Sequence, residues 1–443
     1  MSAFSRRGAC PALSAPMRTG DGFIVRLNPV AGGFAPNTLV GLCESALRHG
    51  NGVMEVTARG SLQIRGLTAE SAALLAADVD AMGIAVRSGV PVETGPLAGI
   101  DPDEIADPRP LAEAIRAAVA DAGLSRRLGP KVSVVVDGGG RIDLAGILAD
   151  IRLVAERQAG QIAWHLAIGG DATAARPRGV FSESAASNAA TAILAAIAGL
   201  GREGRARDLD PARINAALAL IEHAPRRAVV QPGRSSPLAI FPLRATHALG
   251  VALPFGSMPA EKIAAATRKA VSLGCAEIRL APGRALLFLG PDAETCRQLQ
   301  QSAAALGFVI DPADPRVAIA ACPGAPACAS GRIATRDIAS GLAATDCDLL
   351  DGSFTLHVSG CAKGCAHPGT AALTLVGGEN GAALVVDGTA KTLPGGISPH
   401  CRAGSGLRGI ASLVRGARRP GETAAACLAR LGRTKIDAAF ARE

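Results

Sequence analysis

The second half of this chain repeats the first, and that repeat constrains the fold more than any other feature. Residues 20 to 85 read as strand, helix, strand pair, helix. Gly22 to Leu27 has strand character, Pro36 to His49 carries an amphipathic helical pattern, Val53 to Ile64 reads as two short strands around Arg59-Gly60, and Ala69 to Met82 is a second helix. Residues 246 to 310 repeat the order with His247 to Pro254, Pro259 to Leu273, Glu277 to Leu289 and Asp292 to Leu306. Gly66 and Gly290 end equivalent strands, an offset of 224 residues and about half of the 443. The alternative, chance likeness between two Ala-rich stretches, does not explain why the order of elements repeats as well.

A second pair of segments keeps nearly the same offset. Lys131 to Gly139 resembles Thr355 to Gly360, each followed by another strand, Ile162 to Ile168 and Ala383 to Val386, and each copy then closes on a Gly-bounded helix, Ser187 to Leu200 and Gly406 to Arg415. Breaks fall between these blocks. Thr94 to Pro110 is a Pro/Asp/Gly connector that cannot propagate a helix, residues 202 to 240 link the halves with Pro211, Pro225, Pro232 and Pro237, and Asp311 to Arg316 opens the last block. The expected units are two smaller ones, 1–90 and 236–310, and two larger α/β ones, 91–235 and 311–443.

Composition narrows the function class. A 49% hydrophobic, 19% charged chain of this length is globular rather than disordered and too long for one small module. Aromatics are 2%, with no Tyr and one Trp, Trp164, and no basic run stands out, so neither a base-stacking surface nor a nucleic-acid partner is expected. The net charge of +8 suits an anionic ligand if the excess converges on one cleft. Residues 1 to 20 contain Arg6, Arg7 and Arg18 but no apolar run of signal-peptide length, and no later run suits a membrane span. A cytoplasmic, reducing location is therefore expected, where eleven cysteines are read for metal rather than disulfide chemistry.

Cys322 and Cys328 enclose five residues, and 33 positions on Cys361 and Cys365 enclose three. Two such pairs supply the four thiolates of a 4Fe-4S cluster, on loops whose Gly, Pro and Ala let backbone N–H groups approach the sulfides. Structural zinc is the first rival, but its cysteine pairs usually enclose two to four residues; buried free thiols are the second. Cys10, Cys43, Cys275, Cys296, Cys347, Cys401 and Cys427 show no paired spacing and read as packing. In the first half Gly138-Gly139-Gly140 stands where the second has Cys361, so one copy alone can carry the metal.

With these residues the chain resembles the sulfite and nitrite reductase hemoprotein family, and the resemblance covers nearly its whole length. It implies an α+β fold in which ferredoxin-like units and larger α/β units are tandemly duplicated. Val56 to Gly66 looks like that family's Thr-x-Arg-x-x-x-Gln element, while Gly8 to Leu13, Pro16 to Gly22 and Pro96 to Pro102 look like the branch that serves oxygen-dependent cobalamin synthesis. The reductases surround a small oxyanion with two Arg and two Lys. Here Arg59 matches the first Arg and Lys131 the first Lys, but Ser133 stands at the second Lys position and Thr94 to Pro102 offers no second Arg. Half of that cage is missing, which counts against six-electron reduction and for a site that admits a neutral molecule such as O2.

The resemblance to that branch implies precorrin-3A as substrate, hydroxylated at C20 while a ring-A acetate closes a γ-lactone. Its carboxylates call for guanidinium and ammonium groups. Arg59 and Lys131 are the expected catalytic pair, with Arg18, Arg26, Arg65 and Lys363 as further substrate contacts. A mononuclear non-haem iron is also implied. His357 and His367 lie near the cysteines in sequence, yet no two-His-one-carboxylate spacing is visible, so hydrogen-bonded histidines beside the cluster are the simpler expectation. Gly404 to Gly409 matches a dinucleotide fingerprint as a string, but no buried strand is expected over Ile397 to Ala403 and too little chain follows for a nucleotide fold; a Gly-rich helix entry is the residual reading. Electrons are then expected from a separate reductase, with NADH as the indirect source. Two alternatives stay open: a sirohaem sulfite or nitrite reductase, with Cys365 bridging cluster and haem iron, and a zinc-bearing nucleic-acid-binding protein.

Overall fold

The computed structural model describes residues 11–30, 32–158, 160–224, 236–394, 396–398 and 403–441. Cys10, Cys401, Pro225, Pro232 and residues 8–10 of the sequence motif lie outside them. Among the described residues there are four five-stranded sheets, in two matching pairs.

In the first sheet β1 (Met17–Thr19), β2 (Gly22–Leu27), β5 (Leu62–Leu67) and β4 (Val53–Val56) lie in that spatial order. The fifth strand is β13 (Ser257–Pro259), which arrives from the second half and pairs antiparallel with β4. The matching sheet orders β11 (Ile240–Pro242), β12 (His247–Ala252), β15 (Ala285–Gly290) and β14 (Glu277–Ala281), and borrows β3 (Gly33–Phe34) from the first half. Each half therefore covers an edge of the other, where unpaired N–H and C=O groups would otherwise stay open.

The helices explain why the exchange is stable. Pro36 starts α1 (Pro36–His49), whose Leu39, Leu42, Cys43 and Ala46 fall on one buried face at helical spacing, and α6 (Ala260–Ser272) presents Ile263, Ala264, Thr267 and Ala270 in the same way. These two helices pack on one another, with α2 (Ala69–Ala81) and α7 (Ala293–Leu306) beside them, so the two smaller units share one hydrophobic core running from Val25 to Phe308.

The larger units are mixed sheets. β6 (Val92–Thr94), β7 (Val134–Asp137) and β8 (Ala149–Gln158) run parallel, with β9 (Gln161–Gly170) and β10 (Arg176–Phe181) antiparallel beyond them. β16 (Ile319–Ala321), β17 (Leu356–Ser359), β18 (Ala371–Gly378), β19 (Gly381–Gly388) and β20 (Gly396–Ser398) repeat the pattern. The first is covered by α3 (Arg109–Asp121), α4 (Glu183–Ala198) and α5 (Pro211–Leu218), the second by α8 (Thr335–Thr345), α9 (Ala403–Ala417), α10 (Ala424–Leu431) and α11 (Arg433–Ala441).

One expectation needs correcting, and two further stretches find their place. The stretch 202–240 is not all linker: Asp210 caps α5, and Ile214 and Leu218 join the core of the first larger unit. Gly396–Ser398 is a strand, paired with β19. Gly404, Gly406 and Gly409 lie inside α9 rather than at a phosphate-binding turn; a Cβ on Gly406 would stand 2.7 Å from the Phe440 ring and one on Gly409 2.5 Å from the Ala439 carbonyl, so these glycines let α11 approach.

Candidate active site

Along β5 the side chains alternate: Leu62 and Ile64 enter the core, while Gln63 and Arg65 face away from the helices. Glu55 on β4 and Arg26 on β2 lie in register with Gln63, so this face of the first sheet is a polar stripe. The equivalent face of the β11–β12–β15–β14 sheet is apolar apart from the Glu277–Arg279 pair on β14, with Ala248, Ala252, Ala281, Ala285 and Leu287 packed against Leu97 and Ile142. The duplicated halves have diverged there, and the polar face is the one turned toward the cysteine loops.

Those loops follow the adjacent parallel strands β16 and β17. They are tied together by Arg332 N–H to the Gly360 carbonyl at 2.8 Å, Gly360 N–H to Cys322 Sγ at 3.1 Å, and Lys363 Nζ to Ser330 Oγ at 2.6 Å. Cys322 is buried, Cys328 and Cys361 are half-buried and Cys365 is exposed. Glycine at 360 eases the crossing, since a Cβ would stand a tight 3.1 Å from the Cα atoms of Gly324 and Gly331.

The first copy shows what the same crossing does without cysteines. The Gly138 carbonyl accepts from Ile105 and Ala106 as Gly360 does from Arg332. Carboxylates take the loop N–H groups instead: Asp101 accepts from Arg141 N at 2.6 Å, and Glu104 from Gly99 N at 2.8 Å. Burial pushes the Glu104 carboxyl up to about 7. The connector Thr94 to Pro110 is thus partly buried, with Leu97 and Asp101 almost inaccessible, because it fills the place that the loop of Cys322 and Cys328 has in the other copy.

Among the described residues no three His, Cys, Asp or Glu side chains converge as ligands of a single ion. A cube asks for something else, one thiolate on each of four irons. Four cysteines on two crossed loops, with a backbone N–H already on the Cys322 sulfur, suit that demand. A mononuclear iron is not suited by the described residues. His357 is fully buried with neither ring nitrogen hydrogen-bonded, and its ring meets that of His367 edge-on, centroids 5.8 Å apart. Burial, with help from His367 and Arg284, pushes its pKa down to about 4 and keeps it neutral.

A cavity of about 530 Å³ opens where the first sheet, the β14 hairpin and the first larger unit meet. Arg59, Arg87, Arg109, Arg116 and Arg279 line it. Four have carboxylate partners: Arg109 with Asp107 at 2.6 Å, Arg116 with Glu113 at 2.9 Å, Arg279 with Glu277 at 2.9 Å and Arg87 with Glu93 at 4.0 Å. Arg59 instead donates to the Leu148 carbonyl and approaches Ser133 Oγ at 3.5 Å. Burial holds its pKa below the ordinary guanidinium value, against the pull of Glu93.

Of the expected substrate contacts, Arg59 lines this cavity and others do not. Lys131 is exposed in the turn before β7 and does not line the cavity. Arg18 is exposed on the edge strand β1. Arg65 is corrected to an internal role, with its guanidinium spent on Asp21, Glu55 and the Ala327 carbonyl. Lys363 ties the cysteine loops to each other. Arg87, Arg109, Arg116 and Arg279 were not anticipated. The signal for one pair was present, since Arg109 and Arg116 are seven apart on α3 and share a helical face.

The fold is that of the nitrite and sulfite reductases. Residues 15–82 match the family model of the nitrite/sulfite reductase ferredoxin-like half domain. The solved structure of NirA from Mycobacterium tuberculosis shares the fold with a TM-score of 0.76 over 94% of this chain and 84% of that one, at 18% identity. A precorrin-3B synthase from Sinorhizobium sp is 43% identical over 435 residues, 98% of this chain and 95% of the relative. The chain belongs to the precorrin-3B synthase family.

Proposed function

We propose that this enzyme converts precorrin-3A to precorrin-3B in cobalamin biosynthesis, with O2 as co-substrate. One oxygen atom goes to the C20 hydroxyl and the other to water, the two electrons coming from a donor outside the chain and ultimately from NADH. The observation that carries the reading is the arginine-lined cavity. A substrate bearing several carboxylates can take over guanidinium groups now paired with Asp107, Glu113 and Glu93, and Arg59, without a carboxylate partner among the described residues, is ready for the first of them. A volume of about 530 Å³ is in the range of small-molecule sites.

Cys322, Cys328, Cys361 and Cys365 would hold a 4Fe-4S cluster, which supplies one-electron transfer when bound. This chain's own residues do the rest: Arg59 orients a carboxylate, the arginine and carboxylate pairs exchange partners as substrate enters, and Leu144 and Ile147 present apolar wall. A sulfite or nitrite site is less well supported. Lys131 points to solvent, Ser133 stands where a second ammonium is needed, and Arg59 is left without the partners of an anion cage.

Anaerobically prepared protein, assayed for iron and acid-labile sulfide and then given precorrin-3A, a reductant and measured O2, tests the reading. Sulfide near four per chain and loss of precorrin-3A in step with O2 uptake are expected. Tightly bound sirohaem with sulfite or nitrite turnover would overturn it in favour of the reductase.

A further inference from the structure

Arg65 is 3% exposed and Glu55 is 5% exposed, and between them runs a chain of charges that leaves the first sheet and enters the cysteine-bearing unit. Arg65 forks onto Asp21, Nε to Oδ2 at 3.0 Å and Nη2 to Oδ1 at 2.9 Å, and reaches Glu55 Oε2 with Nη1 at 3.3 Å. Its Nη2 also donates to the Ala327 carbonyl at 2.8 Å, one residue before Cys328. From the other side Arg336, in the first turn of α8, donates to Glu55 Oε1. Two guanidinium groups and two carboxylates balance, so the network is neutral and each group has partners that offset its burial.

The N-terminal hairpin presses on the same loop. A Cβ on Gly20 would stand 2.6 Å from the Pro326 carbonyl, 2.7 Å from Ala329 N and 2.9 Å from the Cys328 carbonyl carbon. The Gly20 backbone is not left-handed, so close approach, not conformation, is what excludes a side chain there. We propose that Arg65, with Gly20 and Asp21, is the positioning element for the Cys328 loop, fixing that thiolate for its iron and keeping the carboxylates of Asp21 and Glu55 neutralised beside the metal centre. The inference rests on the reading that the four cysteines hold an iron-sulfur cluster.

The test uses the full chain, with Arg65→Lys, Arg65→Gln and Gly20→Ala. Cluster loss to excess iron chelator is followed by visible absorbance under argon, reduction potential by a dye-mediated titration, and fold by far-UV circular dichroism. Arg65→Lys keeps the charge but loses the fork, so cluster loss should quicken by roughly tenfold while the potential stays close to wild type. Arg65→Gln should quicken loss and also lower the potential, since removing a positive charge favours the oxidised cluster. Gly20→Ala, which leaves every charge in place, should quicken loss several-fold with an unchanged potential, and it decides the matter if the Arg65 variants do not fold. Folded variants that lose the cluster at the wild-type rate would overturn the inference alone. A wild-type chain without acid-labile sulfide would overturn the cluster reading and the inference with it.

Discussion

Gly283 donates its N–H to the Ala58 carbonyl across 3.1 Å, and through that bond the tips of two equivalent hairpins meet. Gly60 makes the approach possible: it is left-handed at φ 79°, and a Cβ there would stand 2.8 Å from the Ala281 carbonyl carbon. The arginines beside this junction then part. Arg59 reaches the first larger unit at Leu148, and Arg284 reaches the cysteine-bearing unit at the Ile319 carbonyl. One duplicated hairpin thus sends a guanidinium to each side of the molecule, and only the first ends in the arginine-lined cavity.

Arg59→Ala should weaken binding of a tetrapyrrole polycarboxylate by about 1.5 to 3 kcal/mol, the range for a hydrogen bond to a charged group. Arg59→Lys should recover part of it, because an ammonium lacks the bidentate fork. Anaerobic titration of precorrin-3A into each variant measures this, and normal binding by the Ala variant would remove Arg59 from the site.

On the proposed 4Fe-4S assignment, replacing Cys322, Cys328, Cys361 or Cys365 by Ser should each abolish the cluster, whereas Cys296→Ser should not. The hydroxyl is a hard ligand where iron-sulfur centres take thiolates. Cys296 is buried in the core shared by the two smaller units, and burial pushes its thiol up to about 11, so it is protonated and inert. Sulfide content per chain is the readout, and full sulfide in any of the four would strike that residue from the ligand set.

The duplication was legible because each of its elements shows its periodicity in a short window, and the two cysteine loops were legible as loops because the members of each pair lie close in sequence. The cavity was not, since Arg59, Arg87, Arg116 and Arg279 come from separate elements and meet only after β3 and β13 have been exchanged. Lys131 was carried over from the resemblance, which does not reveal that the residue stands exposed in a turn before β7 and outside the lining of the cavity. Arg65 lies two residues after Gln63 of a recognisable element, but a sequence does not say whether an outward strand arginine meets substrate, solvent or, as here, Asp21.

Glu104 gives a pH dependence whose sign is fixed. Its folded pKa, about 7, is above the ordinary carboxyl value, so between roughly pH 4.5 and 7 the folded state holds more protons than the unfolded state and stability falls as pH rises through that window. Glu104→Gln keeps an oxygen for the Gly99 N–H and removes the charge. It should stabilise the protein at pH 8 by about 1 kcal/mol, discounted because the side chain is partly solvated, and change little at pH 5. Thermal melts of both proteins at the two pH values check this; equal gains at both would assign the effect to packing.

The glycines of α9 give the last prediction, and it separates a packing role from a ligand role. Gly406 faces Phe440, whose ring carbons would lie 2.7 Å from an added Cβ, and the Phe440 carbonyl would lie 2.8 Å away. Phe440 is itself 1% exposed and belongs to the core of the cysteine-bearing unit, so it cannot swing aside into solvent. Gly406→Ala should therefore force α11 outward and cost about 1 to 3 kcal/mol, the usual penalty of overpacking, despite alanine's better helix propensity. Gly416, on the same helix with nothing within 4 Å of an added Cβ, is the control: Gly416→Ala should leave stability unchanged or raise it by up to about 1 kcal/mol. Denaturant midpoints of the two variants decide it. If Gly406→Ala were as stable as wild type but bound the tetrapyrrole poorly, the glycines would belong to a substrate-carboxylate site and not to the contact between α9 and α11.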